Sequence, residues 1–256
     1  MLSVVKNTVF ITSLIVTSVA IASTDPHWTY EEEWENLSIA STPTKASDFP
    51  YAECGLGQKQ SPVDLGASQV VTSTNVLKTA YKSESLTVVN NGHSIKVNVP
   101  ETTKSVLSIG NEKYTLLQYH IHAPSEHVVN GKSYAAEIHF VHGTPDGKLA
   151  VVGVLVDAPL TAKTNVEFEK ILSIAPRNTT DATKLTADPT KLLPNTAKFY
   201  LYSGSLTTPP CTEGVNWYVL KTPIQITSSQ LASFEELYSE NARAPQALNG
   251  RKVLVK

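Results

Sequence analysis

Five of the seven histidines, His120, His122, His127, His139 and His142, fall within a stretch of 23 residues. Imidazole ligates metals and moves protons near neutral pH, so this is where chemistry is to be sought first. Side chains on a strand alternate between faces, which puts His120 and His122 on one side about 7 Å apart along the chain, able to bite one metal. Pro124 ends that strand, Asn130-Gly131 turns the chain back, and Glu137, His139 and Val141 share one face of the returning run. His142 points the other way and His127 lies beyond the proline. The period of two therefore selects His120, His122 and His139, with a hairpin making their strands neighbours. Three neutral imidazoles with no thiolate or carboxylate describe a catalytic zinc site with a fourth position left for water, because structural sites normally fill all four positions and are rich in thiolate. Spacing alone leaves a second reading open, in which these are ordinary histidines of a sheet. Neither H-E-x-x-H nor G-x-S-x-G occurs, which speaks against helix-based metalloproteases and serine hydrolases.

The elements that must position these residues are mostly strands. Runs rich in β-branched and aromatic residues occur at Leu86–Val89, Ser94–Val99, Tyr114–Tyr119, Ala136–His142 and Leu149–Val156. Turn signals at Asn90-Asn91-Gly92, Asn130-Gly131 and Pro145-Asp146-Gly147 separate them at hairpin-like spacing, so the sheet is expected to be predominantly antiparallel. Helices are expected at Asn165–Ile174, at Ser228–Leu237 behind a Thr227/Ser228 cap, and as a short surface helix at Glu31–Leu37. The Thr-, Asp- and Pro-rich stretch from 176 to 196 reads as an ordered surface excursion. No repeat and no linker composition divides the chain.

Length and composition agree. A chain of 256 residues with 41% hydrophobic and 17% charged residues has ample material for one large core. Its formal charge of −2 argues against a nucleic-acid partner or an acidic membrane surface held by bulk positive charge. Residues 1–22 read as a secretory leader: Lys6, an apolar run from Val9 to Ile21, and Ala20-Ile21-Ala22 as a small-x-small cleavage signal. That run is too short for a membrane span, which needs roughly 20 residues. The expected organisation is a leader over 1–22 and a domain over 23–256, exported to a periplasm or the extracellular space, with no membrane span in the mature chain. In an oxidising compartment the only two cysteines, Cys54 and Cys211, are expected to pair.

At this point a resemblance can be stated. Gln118-Tyr-His-Ile-His-Ala-Pro-Ser-Glu-His127, Ala136-Glu-Ile-His-Phe-Val-His142 and Gly204-Ser-Leu-Thr-Thr-Pro-Pro-Cys-Thr-Glu-Gly-Val-Asn-Trp217 closely resemble the α-class carbonic anhydrases. Cys54-Gly-Leu-Gly-Gln-Lys-Gln-Ser-Pro62, Asn90-Asn-Gly-His93 and Asn241-Ala-Arg-Ala-Pro-Gln246 are further matches, in family order over essentially the whole mature chain. The resemblance implies one predominantly β (α+β) domain, with a central twisted, mostly antiparallel sheet of about ten strands and a few peripheral helices. It also implies reversible hydration of carbon dioxide to bicarbonate and a proton by a zinc-bound hydroxide.

Carried over residue by residue, His120, His122 and His139 match the zinc ligands, and Gln118 and Glu137 match the groups that accept their ring N–H. Thr207 matches the hydroxyl that orients the nucleophile while donating to Glu126, since an ionised carboxylate only accepts. Val141, Val151, Leu206 and Trp217, bordered by Thr208, match the apolar wall for carbon dioxide. Cys54 and Cys211 match the family's paired positions. His127 and His142 match structural positions, and Trp28 and Tyr30 match the cleft rim, although Thr29 stands where many members carry Gly. His93 matches the proton shuttle. A water of pKa about 7 releasing its proton directly to bulk solvent is held to about 10³ per second, far below the about 10⁶ per second of fast family members, so a relay is needed. The rival reading, a non-catalytic binding module on the same fold, would fit a chain lacking zinc ligands, and this one has all three. One sequence leaves a homodimer open.

Overall fold

The computed structural model describes residues 25–66, 68–70, 76–195 and 198–256. The expected leader, 1–22, and the first residue expected after its removal, Ser23, lie outside these.

Twelve strands form a single sheet among the described residues. In chain order they are β1 (Gln69–Val70), β2 (Leu77–Ala80), β3 (Glu84–Asn90), β4 (Ile95–Asn98), β5 (Val106–Ile109), β6 (Glu112–His122), β7 (Ala136–Gly143), β8 (Leu149–Asp157), β9 (Ala182–Ala187), β10 (Phe199–Ser205), β11 (Glu213–Gln225) and β12 (Leu254–Val255). The lateral order is β1-β12-β10-β11-β8-β7-β6-β4-β3-β9, with β5 joined to β6 and β2 to β5. All pairings are antiparallel except β8 with β11 and β1 with β12. The expectation of a mostly antiparallel sheet holds, but the central β8–β11 seam makes it mixed.

Alternation decides what each face carries. Ile138, Phe140 and His142 of β7 face a large apolar core that includes Leu86, Val88, Ile95, Val97, Tyr119, Phe168 and Ile171. Glu137, His139 and Val141 face the other way, where Val151, Val215, Trp217 and Val219 form a second apolar layer. Because both faces are covered, Ala136–His142 is buried throughout. His142 is satisfied in the first core, with Nε2 2.8 Å from the Tyr81 hydroxyl and Nδ1 3.2 Å from the Ala150 carbonyl.

The helices are peripheral. α1 spans Glu53–Leu56, α2 spans Val166–Ile174 and α3 spans Ser228–Glu235. Asn165 caps α2 by accepting from the Glu167 and Phe168 amides, and a Thr227/Gln230 capping box opens α3. Among these helices none is long and apolar enough to cross a membrane.

Two expectations are corrected. Glu31–Leu37 is not a helix but contains a single 3₁₀ turn at Trp34–Asn36, because Trp34 turns inward, donates to the Thr29 carbonyl and packs with Trp28 on the Cys54–Cys211 cluster. The stretch from 176 to 196 is partly sheet: β9 pairs with β3 at the edge, where one exposed face tolerates its polar composition.

Candidate metal centre

Register places the candidate residues in rows running across the sheet. His122 opposes Glu137, His120 opposes His139, and Gln118 opposes Val141 in the β6–β7 pair. The second row continues through Gly153 to Val219, and the third through Val151 to Trp217. One nitrogen from each of His120, His122 and His139 lies within 4.8 Å of the others. The hairpin thus brings together the three residues that the spacing selects, with the apolar row two residues along each strand.

Two rings have one nitrogen hydrogen-bonded to an acceptor, and the third, His139, has Nε2 beside a carboxylate without a well-aligned hydrogen bond. His120 Nδ1 is 2.8 Å from Gln118 Oε1, His122 Nδ1 is 2.6 Å from the Asn241 carbonyl, and His139 Nε2 is 3.1 Å from Glu137 Oε1. Carbonyl and carboxylate oxygens only accept, so those nitrogens carry the protons. The lone pairs are left on Nε2 of His120, Nε2 of His122 and Nδ1 of His139. His122 Nε2 is buried with no partner in the protein, an arrangement that costs free energy unless an electron-pair acceptor meets it. Burial holds all three rings in the neutral form: His122 is pushed down to about 4, His139 is lowered, and His120 lies well below the usual range, with His122, His139 and Lys96 adding repulsion. Neutral, oriented imidazoles are what a divalent zinc ion requires, and the donor set fits it. A second grouping of His127, Glu137 and His139 does not suit a metal, since Glu137 Oε1 is already taken by the His127 Nδ1 proton at 2.8 Å and lies 3.1 Å from His139 Nε2.

Glu137 is the pivot of a buried chain. Its Oε1 also lies 2.8 Å from His127 Nδ1 and its Oε2 accepts from the His127 amide at 2.8 Å. Burial alone would raise its pKa, but these donors outweigh it and hold the carboxyl well below its usual range. His127 Nε2 then meets the Tyr202 hydroxyl at 2.6 Å, and Tyr202 is hydrogen-bonded to Ser61 Oγ at 2.9 Å.

Glu126 sits 3.6 Å from His122 Nδ1 and 3.7 Å from His139 Nδ1, with Oε1 accepting from the Arg243 amide at 2.9 Å. Burial pushes it up to about 7, against His139, the Thr207 hydroxyl and the Arg243 amide, which pull it down. Thr207 acts on this carboxyl, yet Oε2 has no well-aligned hydrogen bond. Thr207 and Thr208 lie in the loop between β10 and β11. That loop is fastened by the Cys54–Cys211 disulfide, S–S 2.05 Å, and by Gln60 Nε2 donating to the Cys211 carbonyl at 3.0 Å. The Arg243 guanidinium joins the same corner, donating to Gln60 Oε1 and to the Ser61 and Cys54 carbonyls.

Val141, Val151 and Trp217 are buried in one cluster, with Leu206 packed against it. Trp217 lies with its ring 4.8 Å from that of His139, anchored by Nε1 donating to the Ser205 carbonyl at 2.9 Å. His93 stacks on Trp28 with ring centroids 3.6 Å apart and planes 5° from parallel. With Trp28 and Tyr30 it borders two cavities, an inner one of about 180 Å³ that reaches His120, His122 and Thr208, and an outer one of about 640 Å³. Burial lowers the pKa of His93, and His27, whose ring is 5.8 Å away, lowers it further.

Sequence reasoning assigned no role to Asn241, Arg243, Gly153, Tyr202 or Ser61. Asn241 and Arg243 lie in a quoted block, but nothing in the block says that a backbone carbonyl and a backbone amide do the work. Gly153 had a legible signal, a lone glycine inside the apolar run Leu149–Val156.

The family model for eukaryotic-type carbonic anhydrase matches residues 42–256. The chain is 38% identical to a carbonic anhydrase of Nostoc sp. over 94% of its length and 90% of that protein's. It is also 38% identical to one of Neisseria gonorrhoeae, covering 93% and 91%. Among solved structures, a hyperthermostable carbonic anhydrase from a hydrothermal vent chimney superposes with a TM-score of 0.79 at 37% identity, covering 90% of this chain and 99% of that one. The α-carbonic anhydrase of Thermovibrio ammonificans, in complex with sulfanilamide, gives 0.75 at 37% identity, covering 89% and 98%. A β-rich fold of this kind with a three-histidine centre defines a class of lyase. The chain belongs to the eukaryotic-type, or α, carbonic anhydrase family, whose general reaction is the hydration of carbon dioxide.

Proposed function

We propose that residues 1–22 are removed on export, that residues 23–256 work in a periplasm or outside the cell, and that this domain hydrates carbon dioxide reversibly with zinc held by His120, His122 and His139. The observation that carries the reading is the set of three imidazoles, His120 half-buried and His122 and His139 buried, with one nitrogen of each within 4.8 Å of the others and the opposite nitrogens facing Gln118, the Asn241 carbonyl and Glu137. Zinc, when bound there, supplies the Lewis acidity that brings the pKa of a water to about 7.

The chain's own residues do the rest. Glu126 can only accept while ionised, so Thr207 donates to it and is left as an acceptor that orients the nucleophile. Val141, Val151, Leu206 and Trp217 form a wall that suits a small apolar substrate, competes for no metal site and gives little affinity to the charged product, while Thr208 borders the polar side. His93, between the inner and outer cavities, carries the proton outward through water. The disulfide, which fastens the Thr207 loop, supports an oxidising compartment.

The test is stopped-flow carbon dioxide hydration alongside metal analysis. One zinc per chain and a rate abolished by a chelator are expected, and zinc-replete protein with no rate above the uncatalysed one overturns the reading. N-terminal sequencing of exported protein should begin at Ser23, and an intact Met1 overturns the leader.

A further inference from the structure

The row that carries His139 and His120 continues one strand further, to a cation. Lys96 on β4 directly opposes His120 in the β4–β6 pair. Opposed residues leave the sheet on the same side with Cβ atoms about 5 Å apart, so Lys96 shares the face of the imidazoles. Its neighbours confirm the alternation, since Ile95 and Val97 are buried in the core on the other face. Lys96 is half-buried and lines the inner cavity with His93, Gln118, His120, His122 and Thr208. No carboxylate lines that cavity, and among the described residues the Lys96 ammonium has no hydrogen bond or ion pair.

An ammonium partly withdrawn from water and given no counter-charge is a standing attraction for a mobile anion. We infer that Lys96 is an anion-recruiting residue of this cleft, adding a fixed positive charge beside the three-histidine centre so that small monoanions, bicarbonate among them, are held more tightly. The inference deepens the proposed function and rests on it. It gives the cleft two unlike sides: the Val141, Val151, Leu206 and Trp217 wall takes the neutral gas, and the Lys96 side takes the anion. A price follows, in that other monoanions compete. For unit charges about 8 Å apart at an effective dielectric of about 20 to 40, removing the lysine charge should weaken a monoanion about five- to thirty-fold.

The experiment uses the full chain with its metal, comparing the parent with Lys96→Gln, Lys96→Met and Lys96→Arg. Thiocyanate is the probe, titrated against the visible spectrum of cobalt-substituted protein and, separately, as an inhibitor of the zinc protein with the KM for bicarbonate. The Gln and Met variants should both bind thiocyanate about five- to thirty-fold more weakly and raise the bicarbonate KM, whereas the Arg variant, keeping the charge, should stay within about two-fold of the parent. Parent-like thiocyanate affinity in both neutral variants overturns the inference, as does equal weakening in the Arg variant, which would assign the effect to shape. A parent that hydrates carbon dioxide while the neutral variants bind anions normally sinks only the role of Lys96. A parent that neither retains metal nor hydrates carbon dioxide overturns the proposed function and this inference together.

Discussion

The backbone carbonyl of Asn241 accepts the His122 Nδ1 proton at 2.6 Å, while the Asn241 side chain donates to the carbonyls of His93 and Ile121 at 3.0 Å and accepts from the Ala123 amide at 2.8 Å. One buried residue thereby holds the His122 ring in its tautomer and ties down the segment that bears His93. Asn241→Ala keeps the backbone acceptor but removes the side-chain partner of the buried Ala123 amide and the part-buried His93 carbonyl, and leaves the Ile121 carbonyl with Ser94 Oγ alone. The expected cost is about 2–4 kcal/mol in urea unfolding, with weaker zinc retention. An unchanged urea midpoint would show that the side chain is dispensable.

Gly153 directly opposes His139, and a Cβ there would sit 2.8 Å from Glu137 Oε1 and 3.3 Å from Val219. Gly153→Ala should push the carboxylate off His127 and His139. Competition against a chelator is expected to show zinc affinity about ten- to a hundred-fold weaker. Parent-like affinity would mean that the strands part to admit the methyl without moving Glu137.

Thr207→Ala should separate binding from rate. The threonine holds no metal in the proposed scheme, so zinc stoichiometry stays at one, and kcat falls about 10²-fold for the loss of one orienting hydrogen bond. Hydration at the parent rate would reassign the partner of the nucleophile.

His93 should titrate below the ordinary histidine value of about 6.5 in an NMR titration, because burial disfavours the imidazolium and His27 adds like charge. His27→Gln should raise the midpoint, though not past 6.5, since burial remains. The folded state binds its proton less tightly than the unfolded chain, so His93 contributes stability that is present at neutral pH and is lost as pH falls from about 6.5 through the folded value. In low buffer, His93→Ala should slow hydration, recover with added imidazole, and leave carbon dioxide–bicarbonate exchange at equilibrium unchanged. A midpoint above 6.5 would show that burial and His27 do not set its titration, and an unchanged low-buffer rate in a fast parent would move the shuttle elsewhere.

Much of the centre is legible because strand chemistry is local. The period of two puts His120 and His122 on one face, and Asn130-Gly131 makes the return that sets His139 opposite His120. The Thr227 cap likewise announces α3 at its observed start. The pattern fails where burial on both faces or long-range packing replaces alternation. β10 and β11 went unrecognised in the Thr- and Pro-rich C-terminal third, and β11, the longest strand, runs through Pro223. Glu31–Leu37 has the composition of an exposed helix, yet Trp34 is drawn under the chain by aromatic partners.

The sequence by itself placed His120, His122 and His139 on one strand face through the period of two and left its only two cysteines to each other, while the residues of the cleft were named only through the family resemblance. Only the tertiary structure decided which atom satisfies which. Asn241 is 119 positions from His122, and Arg243 is 117 from Glu126; each is joined through a backbone group whose position depends on the path of the whole chain rather than on the identity of its side chain. Lys96 is an unremarkable residue on a polar strand face until β4 docks beside β6 and brings its charge opposite His120. Register between strands distant in sequence is fixed by burying two apolar layers at once, and that is a property of the folded whole.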